Sequence, residues 1–157
     1  MRIKDMISII LVLGCLGAAL HYAGRAHAAG AEYKPYVIWR DAGGDPNSYI
    51  THFGALREAN IPVEIRGACL SACTIVLDLP QTQVCIAPGA RLGFHMAQTL
   101  REGGLYFEAD PEYTRDFIER YYPKPVQDWL KTQILPVGIY LSGEQLIQMG
   151  VFPACGT

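Results

Sequence analysis

A serine becomes a nucleophile only when a base takes its proton, and this chain offers one pairing that could do so. Ser71 lies in Gly67-Ala68-Cys69-Leu70-Ser71-Ala72-Cys73, where an extended segment meets glycine, small residues follow and a long apolar stretch begins. If that stretch is a helix, Ser71 opens it at the positive end of the dipole. Negative charge developing on its oxygen, or on a bound carbonyl, is stabilised there. The other reading is a serine that only caps the helix. His95, in Gly93-Phe94-His95-Met96, ends a second extended segment. An imidazole at that place can serve as the base. His52 falls on a helix beside Phe53 and Leu56, where packing or a solvent edge accounts for it. Gly43-Gly44 follows a strand directly; glycines there let a backbone N–H approach a ligand, or simply turn the chain into a helix.

Cys69 and Cys73 flank Ser71 at two residues on each side, and Cys85 and Cys155 lie further on. These four allow three full disulfide pairings, among which sequence does not choose. Small buried residues or disulfide partners is the reading for Cys69 and Cys73, and a bridge between them would pin the serine turn. Cys69-x3-Cys73 is not a tight knuckle and has no second close Cys/His pair, so no metal is expected, nor any cofactor.

The first residues are not part of the domain. Arg2 and Lys4 are followed by an apolar run from Met6 to about Leu20, then Ala26-His27-Ala28. Small residues at −3 and −1 suit signal peptidase, so residues 1–28 read as a Sec-type signal peptide and 29–157 as the mature domain. The alternatives are an uncleaved anchor, for which the run is short, and a lipoprotein, since Val12-Leu13-Gly14-Cys15 loosely resembles a lipobox but with a large Leu13. Export places the cysteines in an oxidising, periplasmic or secreted setting. A membrane is expected only through an uncleaved signal segment. Removing Arg2, Lys4, Arg25 and Asp5 from 13 basic and 15 acidic residues leaves 10 and 14, a net charge of −4. A mildly acidic domain without a basic run gives no footing for a phosphate backbone, so nucleic acid is excluded as a partner.

The elements that must position Ser71 and His95 follow from periodicity. Tyr36-Val37-Ile38-Trp39 reads as a strand, broken by Asp41-Ala42-Gly43-Gly44-Asp45-Pro46. Asn47 to Ala59 reads as a helix, with Tyr49, Ile50, Phe53 and Leu56 at helical spacing. Pro62 to Arg66 alternates as a strand does, and Gly67 ends it. Ser71 to Leu79 is apolar nearly throughout and is a strand or a buried helix; Pro80 stops it. Val84-Cys85-Ile86 and Leu92 to His95 are extended, around a Pro88-Gly89 turn, and Arg101 to Gly104 is a loop. Pro111 to Tyr122 is a helix capped by Asp110, and Val126 to Leu135 a shorter one. Ser142-Gly143-Glu144-Gln145 is a capping box opening a last helix to Met149, with Gly150 just past its end. Strands alternating with helices predict one α/β domain with a mainly parallel sheet.

In register, these pieces resemble the proteolytic subunit of the Clp protease within the ClpP/crotonase superfamily. The matching residues are Asp41-Ala42-Gly43-Gly44, Gly67-x-x-x-Ser71-Ala72, and Val84 to His95, with His95 24 positions after Ser71. The tail Tyr140-Leu141-Ser142 to Gly150-Val151 is also similar to the family's closing segment. The resemblance covers about residues 36–95 and 139–152. It implies a spiral of repeated β-β-α units and an exported serine hydrolase, most simply a peptidase. Ser71 would be its nucleophile, His95 its general base, and the N–H groups of Gly43 and Ala72 its oxyanion hole. The partner implied is a peptide or protein substrate, added as a strand beside the site. The family's third residue, an aspartate, aligns with Gly138; Asp110, Asp116 and Asp128, in a stretch that does not align, and Glu144, near in sequence, are candidates to replace it. Residues 98–137 do not read like the family's long handle helix, so double rings are not implied and homo-oligomerisation stays open. A non-catalytic peptide- or protein-binding module on the same fold is the alternative function.

Overall fold

A computed structural model describes residues 33–100, 107–133 and 138–156. The signal-peptide reading of residues 1–28 and the loop at Arg101 to Gly104 fall outside the described residues. Tyr33–Thr157 forms one compact unit, a small mixed α/β domain built on a mostly parallel sheet.

The long strand β2 (Val63–Leu70) organises that sheet. On one edge β1 (Tyr36–Asp41) runs parallel to it. On the other edge, two short parallel strands follow in succession: β3 (Val84–Ile86) beside Val63–Ile65 and β4 (Arg91–Phe94) beside Ala68–Leu70. The turn at Ala87–Ala90 separates them, closed by the Ala90 N–H to the Ala87 carbonyl. Pro88 and Gly89 suit a turn and not a ladder. Gly67 does not end β2 as its position suggested. Two residues of β2 oppose Trp39 of β1 in a bulge, and a Cβ on Gly67 would lie 1.9 Å from the Trp39 carbonyl oxygen. The glycine carries the strand through a close backbone approach.

The apolar stretch after β2 is a 310 helix, Ser71–Asp78. A 310 run of this length is uncommon. Consecutive β-branched Thr74, Ile75 and Val76 disfavour a wider α turn, and Leu79 turns extended ahead of Pro80. Ala72 to Leu77 are all buried, against the sheet face of Ile38, Val63, Ile65, Leu92 and Leu141. Helix α1 (Pro46–Glu58) adds Phe53 and Leu56 to the same core.

Three strands were not anticipated from sequence. Strands β5 (Gln98–Leu100) and β6 (Phe107–Ala109) pair antiparallel in a small second sheet, and β7 (Ile139–Ser142) pairs antiparallel with β4. Helix α2 (Pro111–Tyr121) starts as expected, Asp110 accepting the Tyr113 N–H. Helix α3 (Lys124–Lys131) begins two residues earlier than its apolar pattern, because a first helical turn accommodates Pro125. The capping box of α4 (Gly143–Gln148) has both of its bonds, and Gly150 follows at φ +69°.

Cys69 pairs with Cys73 and Cys85 with Cys155. Two disulfides point to an oxidising, extracytoplasmic location. Among the described residues, no helix is long and apolar enough to cross a membrane.

Gly67→Ala is expected to destabilise the domain by about 1–3 kcal/mol through overpacking. Gly54→Ala, inside α1 with nothing within 4 Å of the added methyl, should stabilise it by about 0.5–1 kcal/mol. Urea unfolding with disulfides intact measures both.

Candidate active site

Ser71 follows the last residue of β2 and adopts φ +55°. For a residue with a Cβ this left-handed conformation costs roughly 1–2 kcal/mol, and it turns the chain out of the strand at the first residue of the 310 helix. Such a strand–turn–helix elbow exposes a serine hydroxyl above the end of a sheet. The neighbouring strand β4 delivers the imidazole. Leu70 pairs with Gly93, so His95 emerges beside the elbow and its Nε2 lies 2.7 Å from Ser71 Oγ.

The orientation of the imidazole is also defined. Its Nδ1 lies 2.7 Å from the Met96 carbonyl oxygen. A carbonyl only accepts, so Nδ1 carries the proton and Nε2 is left to accept from the Ser71 hydroxyl. This is the tautomer that an aspartate enforces in a triad. A main-chain carbonyl supplies the same direction but lacks the full charge that stabilises an imidazolium.

The acids named above have other roles. Asp110 caps α2, Asp116 pairs with Arg115 at 3.3 Å, Asp128 pairs with Lys124, and Glu144 lies in the first turn of α4. Gly138 falls one step beyond the Phe94–Ile139 pair of β4 and β7, across from His95. A Cβ there would lie 3.8 Å from the Phe94 carbonyl oxygen.

The turn between β1 and α1 forms the facing wall. Gly43, at φ +79°, presses on the elbow so closely that a Cβ would lie 2.6 Å from Ser71 Cβ and 2.8 Å from the Ala72 nitrogen. Its N–H donates to Asp41 Oδ1 at 2.8 Å. Gly44, not Gly43, lines the cleft. The Ala72 N–H belongs to the first turn of the 310 helix, where amides lack an intrahelical acceptor. Behind the elbow, Thr74 Oγ1 donates to the Ser71 carbonyl at 2.5 Å and lies 2.6 Å from the buried Tyr122 hydroxyl. Burial pushes the Tyr122 phenol up, partly offset by that bond.

Ser71 and His95 open into a cleft of about 430 Å³, within the range of small-molecule and side-chain sites. Phe94, Phe117, Ile118, Tyr122 and Leu130 give it an apolar wall; Asn47, Gln98 and Thr114 are its polar points. Among the described residues, no group of three or more His, Cys, Asp or Glu could hold a metal ion. Sequence reasoning missed the Met96 carbonyl, because every residue has one. It also missed Asp41 and Tyr49, whose only signal was an acid next to Gly43-Gly44. No family model matches the chain, and no curated protein matches it.

The two disulfides act on different scales. In the chain-entropy model, a bridge spanning 70 residues contributes about 4 kcal/mol and one spanning four about 2 kcal/mol. Replacing Cys85 and Cys155 by alanine should therefore lower unfolding free energy about twice as much as replacing Cys69 and Cys73, by urea denaturation. The Tyr49 phenol donates to Asp41 Oδ1 at 2.5 Å. Burial first, and that carboxylate second, push it up to about 12. The folded value lies above the unfolded one, so its contribution is complete below pH ~10 and is lost as pH rises through about 12. Tyr49→Phe should flatten the fall in stability over that window and remove a late-titrating, half-buried phenol from an ultraviolet titration.

Proposed function

We propose that this protein is an extracytoplasmic serine hydrolase, most simply a peptidase, on a ClpP/crotonase-type spiral. The observation that carries the reading is the 2.7 Å contact between Ser71 Oγ and His95 Nε2, with Nδ1 turned to the Met96 carbonyl. Ser71 attacks the substrate carbonyl as His95 takes its proton. The tetrahedral oxyanion meets the Ala72 N–H and a second amide from the Gly43-Gly44 turn. Gly44 suits that role better than Gly43, whose N–H is held by Asp41. Collapse passes the proton from His95 to the leaving amine. Water then hydrolyses the acyl ester with His95 again as base. The aromatic wall of the cleft takes an apolar side chain of the substrate. In support of the spiral stand the parallel β1-β2-β4 order and the strand–serine–helix junction.

A second reading is a peptide-binding module that does not turn over. Gly138 favours it, since the position that follows the Phe94–Ile139 pair carries no side chain to orient His95. The two readings separate with a fluorophosphonate probe on the folded, disulfide-bonded protein. The hydrolase labels at Ser71, and labelling disappears in Ser71→Ala and His95→Ala. Gly138→Asp, which places a carboxylate across from the imidazole, should accelerate labelling roughly 10- to 100-fold. That is less than the ~10⁴ at stake in a full triad, because the tautomer is already held. Well-folded wild type that does not label would sink the hydrolase and leave the binding module.

A further inference from the structure

The turn that faces Ser71 is held by a residue with no part in the dyad. Asp41 is the last residue of β1 and pairs with Cys69 of β2, two positions before the nucleophile. Its Oδ1 accepts both the Gly43 N–H at 2.8 Å and the Tyr49 hydroxyl at 2.5 Å. The Tyr49 ring lies beneath the next residue, 3.7 Å from where a Cβ on Gly44 would be. Asp41 and Tyr49 thus grip the two glycines in succession, one through its N–H and one through packing. Gly43 in turn rests against the backbone from Leu70 to Ala72. Among the described residues, nothing else hydrogen-bonds the Asp41–Asp45 connection to the strand that precedes it.

We infer that Asp41 is a positioning residue for the oxyanion site: by accepting the Gly43 N–H it sets the Gly43-Gly44 turn so that the Gly44 amide stands beside Ser71. This rests on the hydrolase reading above. A carboxylate next to a developing oxyanion is unfavourable by Coulomb's law unless its charge is already taken up, and two donors converge on this one. A serine or asparagine could hold a turn as well. The acid gains a charge-assisted grip on an N–H, which suits a turn that must not rotate while charge develops.

The test is the kinetics of fluorophosphonate inactivation, separated into kinact and KI. Asp41→Ala should lower kinact roughly 100- to 1,000-fold, the effect of losing one oxyanion donor, with KI unchanged because the apolar cleft is intact. Asp41→Asn, whose Oδ1 can still accept the Gly43 N–H, should restore most of the rate. Tyr49→Phe keeps the ring and loses one hydrogen bond to a charged acceptor; about a tenfold loss in kinact is expected, and this variant carries the test if Asp41→Ala does not fold. A merely structural role would move KI or stability and would not be rescued by asparagine. Asp41→Ala at the wild-type kinact, or Asp41→Asn as slow as alanine, overturns the assignment while leaving the hydrolase. Wild type that does not label overturns the hydrolase and the role of Asp41 together.

Discussion

Ser71 sits in a backbone conformation that side chains avoid, and the contacts around it hold it there. At φ +55° the residue carries a cost of order 1–2 kcal/mol. Four neighbours offset or enforce it. The Cys69–Cys73 bridge closes the elbow from both sides, and about 2 kcal/mol of chain entropy is the right size to balance the strain. Thr74 takes the Ser71 carbonyl, anchored in turn on Tyr122. Gly43 fills the space in front with backbone alone. The buried run from Ala72 to Leu77 fixes the direction in which the chain must leave. Strain of this kind, held by its surroundings, is concentrated at functional sites.

The parallel pairing of β2 with β4 then converts backbone geometry into chemistry. Because Leu70 pairs with Gly93, the residue after β4 is carried to the elbow without a loop that could wander. The imidazole meets the hydroxyl at 2.7 Å. Its other nitrogen turns to the carbonyl of the next residue, a partner that defines the tautomer but contributes only a dipole. Electrostatic support for the imidazolium is therefore weaker here than a carboxylate would give. Gly138 follows the Phe94–Ile139 pair and brings no side chain to the ring.

The cleft draws its remaining walls from parts of the chain distant in sequence. Phe117, Ile118 and Tyr122 come from α2 and its end, Leu130 from α3, and Asn47 from the start of α1. Phe94 and Tyr122 meet edge to face, as do Phe117 and Tyr122, a preferred arrangement for aromatic rings. The wall is thus continuous with the core.

Much of this was legible in the residues themselves. Local chemistry specified α1, α2 and α4, since Asp110, Pro111 and the Ser142–Gln145 box act within one turn of chain. The apolar run of β1, the alternation at the start of β2 and the short β3 were likewise readable, and Ser71 and His95 stood out by residue type and by the family resemblance. Gly67 was misread because a breaker and a bulge look alike until the opposing Trp39 carbonyl is in place. Whether Ser71 to Leu79 is strand or helix was undecidable, because a nearly continuous apolar stretch has no periodicity. Three-residue strands β5 and β6 carry too little pattern to be recognised. The cysteine pairing, the grip of Asp41 on Gly43 and the carbonyl that orients His95 depend on distances between segments that sequence does not contain. The sequence determined which groups could react. Tertiary structure alone decided which of them meet, because hydrogen bonds and disulfides form at contact distance, and contact between remote segments is set by strand register and core packing.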